Sequence, residues 1–147
     1  MFPLVHHQDY SLRQDADPSR AIRFPWDKYT LVRDILRADP DPPTEHEAPL
    51  ISQGWVEAVH DSSYVGEVLS AAVPPEKARR IGFPITLSLA RRALRTSGGT
   101  WMAARLALER GYAANGAGGS HHALYDTGAG YCIFNDLAIA AHRLLTE

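Results

Sequence analysis

Two short apolar stretches, each running into a pair of histidines, constrain this chain more than any other feature. Residues 3–7 place Leu4-Val5 ahead of His6-His7. Residues 112–117 form a second apolar run, which opens into a glycine-flanked loop carrying His121 and His122. The intervening spacing is mostly helical, so the pattern predicts two strands separated by helices, the first part of an α/β sheet. Ligand sites in open α/β folds lie beyond the carboxyl ends of strands, and both histidine pairs fall at such ends.

The helical segments carry their own punctuation. Residues 8–25 are charged, broken by Pro18 and Pro25, and read as loop. Asp27 is placed to cap a helix over residues 28–38, with Val32, Ile35 and Leu36 on one face and Tyr29 adjoining. The run Asp39-Pro40-Asp41-Pro42-Pro43 ends it as a stiff connector. A short helix over residues 52–59 carries Trp55, Val56 and Val59. Asp61 can cap the next, which lines up Tyr64, Val65, Val68 and Leu69. Pro74-Pro75-Glu76 opens another turn that ends near Gly82. Residues 86–110 are helical with a soft break expected at Gly98-Gly99. Their expected stripe is Leu87, Ala90, Leu94, Trp101, Arg105 and Leu108, and Gly111 ends the helix. Asn135 or Asp136 caps a last helix whose buried face is read as Leu137, Ala140, Ala141, Leu144 and Leu145.

Composition narrows the function classes. A chain of 147 residues, 45% hydrophobic and 22% charged, suffices for one soluble domain. A net charge of -2 creates no strong field, so neither nucleic acid nor a membrane is expected as partner. The single cysteine, Cys132, leaves no internal disulfide and fits a reducing compartment. No apolar run is long enough to span a bilayer, and residues 1–9 lack the pattern of a signal peptide. A cytoplasmic location is the expectation.

His121 and His122 can divide a proton-transfer task. Adjacent imidazoles disfavour double protonation, which separates a base from its charged partner. The plainer alternative, one structural histidine and one exposed, stays open on the pair alone. Metal chemistry has little support from spacing. The seven histidines form no Asp-x-His and no His-x-x-x-His. His6, His7 and Asp9 read as a strand end bonded locally, and Glu45, His46 and Glu47 as a solvated loop. A serine elbow and a P-loop are absent from the sequence. Cys132, flanked by Tyr131 and Ile133, reads as a small buried hydrophobe before it reads as a nucleophile. Arg79, Arg80, Arg91, Arg92 and Arg95 read as the wet faces of helices.

The combination carries more than its parts. Gly118-Gly119-Ser120-His121-His122-Ala123, followed by Gly130-Tyr131-Cys132-Ile133-Phe134-Asn135-Asp136 and an apolar helix, resembles the histone deacetylase family, most closely its bacterial members similar to class IV. Val5-His6-His7-Gln8-Asp9-Tyr10, Arg23-Phe24-Pro25 with Lys28-Tyr29, Val59-His60-Asp61, Arg80-Ile81-Gly82-Phe83-Pro84 and Gly98-Gly99-Thr100 agree, in order. The resemblance implies a parallel-sheet, three-layer α/β/α fold of the arginase/deacetylase type. It also implies a zinc-dependent amidohydrolase, in which metal-activated water attacks an acetyl-lysine carbonyl. By matching position, His122 is the general base and acid, and His121 its electrostatic neighbour. Gly130 and Tyr131 line the tube that holds the lysine stem, and Cys132 lies beside the pocket floor. Arg23 falls near the inner end of the cavity. Asn135 and Asp136 cap the last helix rather than touch substrate.

Departures accompany the resemblance. Ile22 stands where this subgroup usually has histidine, and Tyr131 where phenylalanine is commoner. The family's Asp-x-Asp-x-His segment, a later aspartate and an oxyanion-stabilising tyrosine would all lie beyond Glu147, as would the carboxylates that pair with the two histidines. Residues 1–147 are therefore expected to be the N-terminal portion of a single deacetylase-like domain, truncated before the metal-ligand segments. Zinc is expected only in the complete domain, and the isolated chain is expected to be inactive. The expected partners are acetylated lysine or an acetylated small amine. A complementing C-terminal half, or self-association through an exposed sheet edge, is also expected. A non-catalytic binding module or one half of a split enzyme is the alternative.

Overall fold

The computed structural model describes residues 1–12 and 24–147. Three parallel strands form the sheet, in the order β2-β1-β3. They are β1 (Pro3–His6), β2 (Thr44–Glu47) and β3 (Ala114–Asn115). The helices are α1 (Lys28–Arg37), α2 (Gln53–Glu57), α3 (Ser62–Leu69), α4 (Pro75–Ile81), α5 (Leu87–Arg110) and α6 (Asp136–Thr146). Among the described residues, no helix is long and apolar enough to cross a membrane.

Central strand β1 is buried along its whole length, as a parallel strand covered on both faces must be. Val5 pairs with His46 on one side and with Asn115 on the other. The expected second strand is shorter than residues 112–117, and Tyr112 is exposed. Only Ala114 and Asn115 pair with β1, followed by a bond from Gly116 N–H to the Val5 carbonyl at 2.7 Å. Glu45, His46 and Glu47, expected as a solvated loop, instead form β2. Their side chains alternate between exposed and half-buried, and the pairing lies in backbone bonds that polar side chains do not advertise.

Helix α1 keeps its expected place but not its expected details. Asp27 makes no side-chain capping bond, because its own backbone is already helical. No residue of α1 is fully buried; Leu31, Val32 and Ile35 are exposed, Ile35 at 71%. Of the expected face, Leu36 and the adjoining Tyr29 are half-buried, and Tyr29 packs against the core, whereas Val32 and Ile35 face outward.

Helix α5 runs for 24 residues straight through Gly98-Gly99, where a break was expected. These glycines mark a contact. A Cβ at Gly98 would overlap the Pro49 carbonyl oxygen, and one at Gly99 the Tyr10 hydroxyl. At Gly98 the helix backbone lies against the backbone of the segment after β2, and at Gly99 against the Tyr10 and Asn115 side chains. Its buried face is accordingly made of small and polar residues: Ala90, Ala93, Thr96, Ser97, Gly98, Gly99 and Ala103, with Leu89. Leu87 and Leu108, from the expected stripe, are exposed. Thr86 caps the start by accepting Leu89 N–H at 3.2 Å, and Gly111 ends the helix at φ +90°.

The main core lies beneath α2–α6 and includes Val56, Tyr64, Val65, Ile81, Phe83, Leu89, Phe134 and Ile139. Asn135 caps α6 by accepting Ala138 N–H at 3.0 Å. The buried positions of α6 are Asp136, Ile139 and Ala140. Leu137 and Leu145, expected inside, are exposed. The helix is turned so that the Asp136 carboxylate, rather than Leu137, faces inward.

His60 ties the loop before α6 to the helices. It is 2% exposed; its Nδ1–H donates to the Tyr125 carbonyl at 3.1 Å and its Nε2 accepts Asn135 N–H at 2.9 Å. Burial holds its pKa below the ordinary 6.5. His6 is shifted the same way, again chiefly by burial.

Two outcomes follow from this packing. Gly99→Ala is expected to destabilise the protein by about 1–3 kcal/mol, read from urea unfolding, because a methyl group cannot enter that contact. Gly66→Ala in α3, where a Cβ meets nothing, is expected to be neutral or to stabilise by up to about 1 kcal/mol. The buried neutral histidines make stability fall with acid. Their contribution is complete above the ordinary value of 6.5, declines as pH drops past it, and is gone below the folded-state value. Melting temperatures taken from about pH 7.5 to about pH 5 should fall accordingly, and less steeply in His60→Gln. Equal slopes in the two proteins would refute the assignment to His60.

Candidate active site

The chain leaves β3 through Gly116 and turns sharply at Gly118 (φ +102°) and Gly119 (φ +76°), conformations that favour glycine. His121 and His122 follow. Both are exposed, with ring centroids 4.2 Å apart and planes 38° apart. The Gly119 carbonyl accepts both the His121 backbone N–H and its ring Nδ1, each at 2.9 Å. A carbonyl can only accept, so Nδ1 carries the proton, and in the Nδ1–H tautomer Nε2 is the ring's acceptor.

Gly130 and Tyr131 form the tip of a tight turn, closed by reciprocal backbone bonds between Ala129 and Cys132 at 3.0 and 2.9 Å. The tip is fastened to the end of α4: Gly130 N–H donates to the Arg80 carbonyl at 3.1 Å and Tyr131 N–H to the Ile81 carbonyl at 2.7 Å. A Cβ at Gly130 would stand 3.2 Å from the His122 ring. Tyr131 is held at φ +65° and is 56% exposed. Its ring stacks on Phe83 at 6.0 Å and 18°, with Phe24 at 5.5 Å. The turn thus brings Gly130 to the His122 ring, while the Tyr131 ring lies against Phe83 and Phe24. Cys132 points inward, is buried, and places its thiol 3.6 Å from the Gly130 carbonyl.

Phe24 and Phe83 extend the aromatic surface beside Tyr131. In the sequence they stand only as parts of the Arg23-Phe24-Pro25 and Arg80-Ile81-Gly82-Phe83-Pro84 segments, where an aromatic immediately before proline was the available signal. Arg23 lies outside the described residues. His6 and His7 do not join the His121-His122 pair. His7 bonds locally, accepting Asp9 N–H at 3.0 Å, and lies 3.3 Å from Glu47. Arg92 does not belong to a wet face. Its guanidinium packs over Trp26 and Tyr29, and Nε donates to the Tyr10 carbonyl at 2.8 Å. Arg91 and Arg95 pair with Asp9 at 3.1 and 3.3 Å.

Asp136 was read as a helix cap. Asn135 fills that place, and the Asp136 carboxylate turns back to the histidine loop. It accepts Gly119 N–H at 2.9 Å, Ser120 N–H at 2.6 Å and the Thr100 hydroxyl. The signal was a Gly-Gly-Ser run whose N–H groups required an acceptor from elsewhere. An open groove of about 520 Å³ runs beside this loop, lined by Thr100, Asn115, the backbone of residues 116–119 and Leu137.

The described residues do not fit a zinc ion. No three His, Cys, Asp or Glu side chains among them converge closely enough to hold one.

Residues 24–147 match the family profile described as histone deacetylase domain. An uncharacterized protein of Picosynechococcus sp. is 39% identical over 145 residues, 97% of this chain and 47% of that protein. Histone deacetylase 2 of Arabidopsis thaliana is 49% identical over 45 residues, 31% of this chain and 12% of that protein. The crystal structure of the HDA15 HD domain superposes with a TM-score of 0.67 at 16% identity, covering 99% of this chain and 44% of that one. The chain therefore spans less than half the length of each of these proteins. The last likeness establishes the α/β parallel-sheet fold of the arginase/deacetylase type. The profile match, over most of the sequence, establishes descent: this chain belongs to the histone deacetylase family.

Proposed function

We propose that this chain supplies the proton-handling histidines and part of the lysine tube of a zinc-dependent deacetylase, which hydrolyses the amide of acetyl-lysine or of a related acetylated amine. The observation that carries this reading is the seating of Gly130 against the His122 ring, which itself lies beside the ring of His121. Amide hydrolysis needs one proton removed from the attacking water and one delivered to the departing amine. An exposed imidazole can do both, and His122 takes that role. His121, its Nδ1–H committed to Gly119, acts as the electrostatic neighbour. The glycine leaves room beside the His122 ring, and the Tyr131 face, backed by Phe83 and Phe24, suits the aliphatic stem of a lysine. Cys132 lines the inner side of the same turn.

Zinc in this reading is held by segments other than the residues described, so no step is assigned to it here. Those ligands are expected in the remainder of a complete deacetylase domain or in a complementing chain. The favoured location is the cytoplasm.

The test uses the protein as its gene encodes it, assayed on an acetyl-lysine peptide and on a small acetylated amine. His122→Ala is expected to lower kcat/KM by on the order of 100-fold or more while the melting curve is kept. Chelation should abolish turnover and added zinc restore it. A folded His122→Ala protein with undiminished turnover would sink the proposal. Saturable binding of the acetylated peptide without any turnover would replace it with the binding-module reading.

A further inference from the structure

We propose that Asp136 is the positioning residue of the tandem-histidine loop, setting the orientation of His121 through a single peptide plane. For its catalytic meaning this inference rests on the deacetylase reading; for its structural content it does not.

The Asp136 side chain is an unusual thing to bury. The residue is 1% exposed and, among the described residues, forms no ion pair with lysine or arginine. A carboxylate so placed is costly unless hydrogen bonds replace its water. Three donors do so: Gly119 N–H, Ser120 N–H and the Thr100 hydroxyl. None belongs to α6, whose cap is already filled by Asn135. The carboxylate is therefore spent on the loop and not on its own helix. Gly118 confirms the closeness of the approach, because a Cβ there would overlap Oδ2 of Asp136.

The bond pattern reaches His121 directly. Ser120 N–H and the Gly119 carbonyl are the two ends of one peptide group. Asp136 Oδ1 takes the N–H end at 2.6 Å, and His121 Nδ1–H takes the carbonyl end at 2.9 Å. A peptide is planar and rigid, so fixing one end fixes the other. A negative charge on the N–H also strengthens the carbonyl as an acceptor, since hydrogen bonds in series polarise one another. Both effects favour the His121 tautomer protonated at Nδ1 and leave Nε2 facing outward.

Behind Asp136 the support continues. The Thr100 hydroxyl receives Asn115 Nδ2–H at 2.9 Å, and Asn115 Oδ1 receives the Tyr10 hydroxyl at 2.7 Å. The loop is thereby fastened through α5 and β3 to the turn after β1.

The test is nitrogen-edited NMR of the imidazole and amide groups in the protein as encoded, with Asp136→Asn and Thr100→Val. Asp136→Asn keeps the shape but loses the charge and turns one acceptor into a donor. Its expected result is loss of the uniform Nδ1–H signature of His121 and movement of the Gly119 and Ser120 amide signals, with the His46 and His142 ring signals unmoved. Thr100→Val removes one of the three donors and should move the same signals by less. If Asp136→Asn does not fold, Thr100→Val decides alone. In an active preparation, Asp136→Asn should also lower kcat by on the order of 100-fold with KM unchanged. Unchanged His121 and Ser120 signals in a folded variant would overturn the inference, whatever the activity. Moved signals in a protein without turnover would uphold it and count against the deacetylase reading instead.

Discussion

The close approach of α5 to the sheet layer, made to the Pro49 backbone at Gly98 and to the Tyr10 and Asn115 side chains at Gly99, is the constraint on which the rest of the structure depends. A helix carrying ordinary side chains there would stand farther away. At the observed approach the Tyr10 hydroxyl reaches Asn115, and Asn115 reaches both the Thr96 carbonyl at 3.1 Å and the Thr100 hydroxyl. Polar groups thus bridge a helix and a strand that are otherwise joined by small apolar contacts around Val5, Ala48 and Ala103. The main hydrophobic core, with Tyr64, Phe83 and Phe134, lies apart from this seam and sets the position of α4, whose end anchors the Gly130-Tyr131 turn.

The candidate site is accordingly built from two loops held by different means. The histidine loop is held by a buried charge and backbone donors. The aromatic turn is held by backbone bonds to α4 and by ring contacts. Tyr131 adopts a left-handed conformation that costs a non-glycine residue roughly 1–2 kcal/mol. Stacking on Phe83 and the bond to the Ile81 carbonyl offset it. That a residue is held in this conformation, at the tip of a turn beside two exposed imidazoles, is the kind of local strain that structures retain at functional sites.

Much of this was legible in the sequence, and the failures share a cause. Helix starts at Asp61 and Asn135 were readable because a capping side chain acts within three residues. The Gly130-Tyr131 turn and the histidine loop were readable because their glycines and histidines stand in an informative order. Apart from the Asp27 cap, lost to its own helical backbone, what failed depended on partners distant in the chain. Gly98-Gly99 looked like a weakness because their neighbours, Pro49 and Tyr10, lie far away in sequence. β2 looked like loop because its pairing with β1 is carried by the backbone. Leu137 reads as a core residue ahead of Asp136 because apolarity shows in the residue itself, whereas the unpaired N–H groups of the Gly-Gly-Ser segment show only in the fold. Similarly, α1 turns Tyr29 and Leu36 inward and leaves Val32 and Ile35 exposed, because spacing states how residues are grouped and not what covers each of them.

The hydrogen bonds that run from Tyr10 to Asp136 all point the same way. Tyr10 donates to Asn115, Asn115 to Thr100, and Thr100 to the carboxylate. This shared polarity means that the two ends of the Asn115 amide are not interchangeable. Its oxygen must meet the tyrosine, and its nitrogen must meet both the Thr96 carbonyl and the Thr100 hydroxyl. An aspartate, identical in outline, would set oxygen against oxygen at the Thr96 carbonyl and reverse the sense of the chain at Thr100. What the position demands is therefore a direction rather than a shape, and residues 10, 100, 115 and 136 can be exchanged only as a set that preserves it.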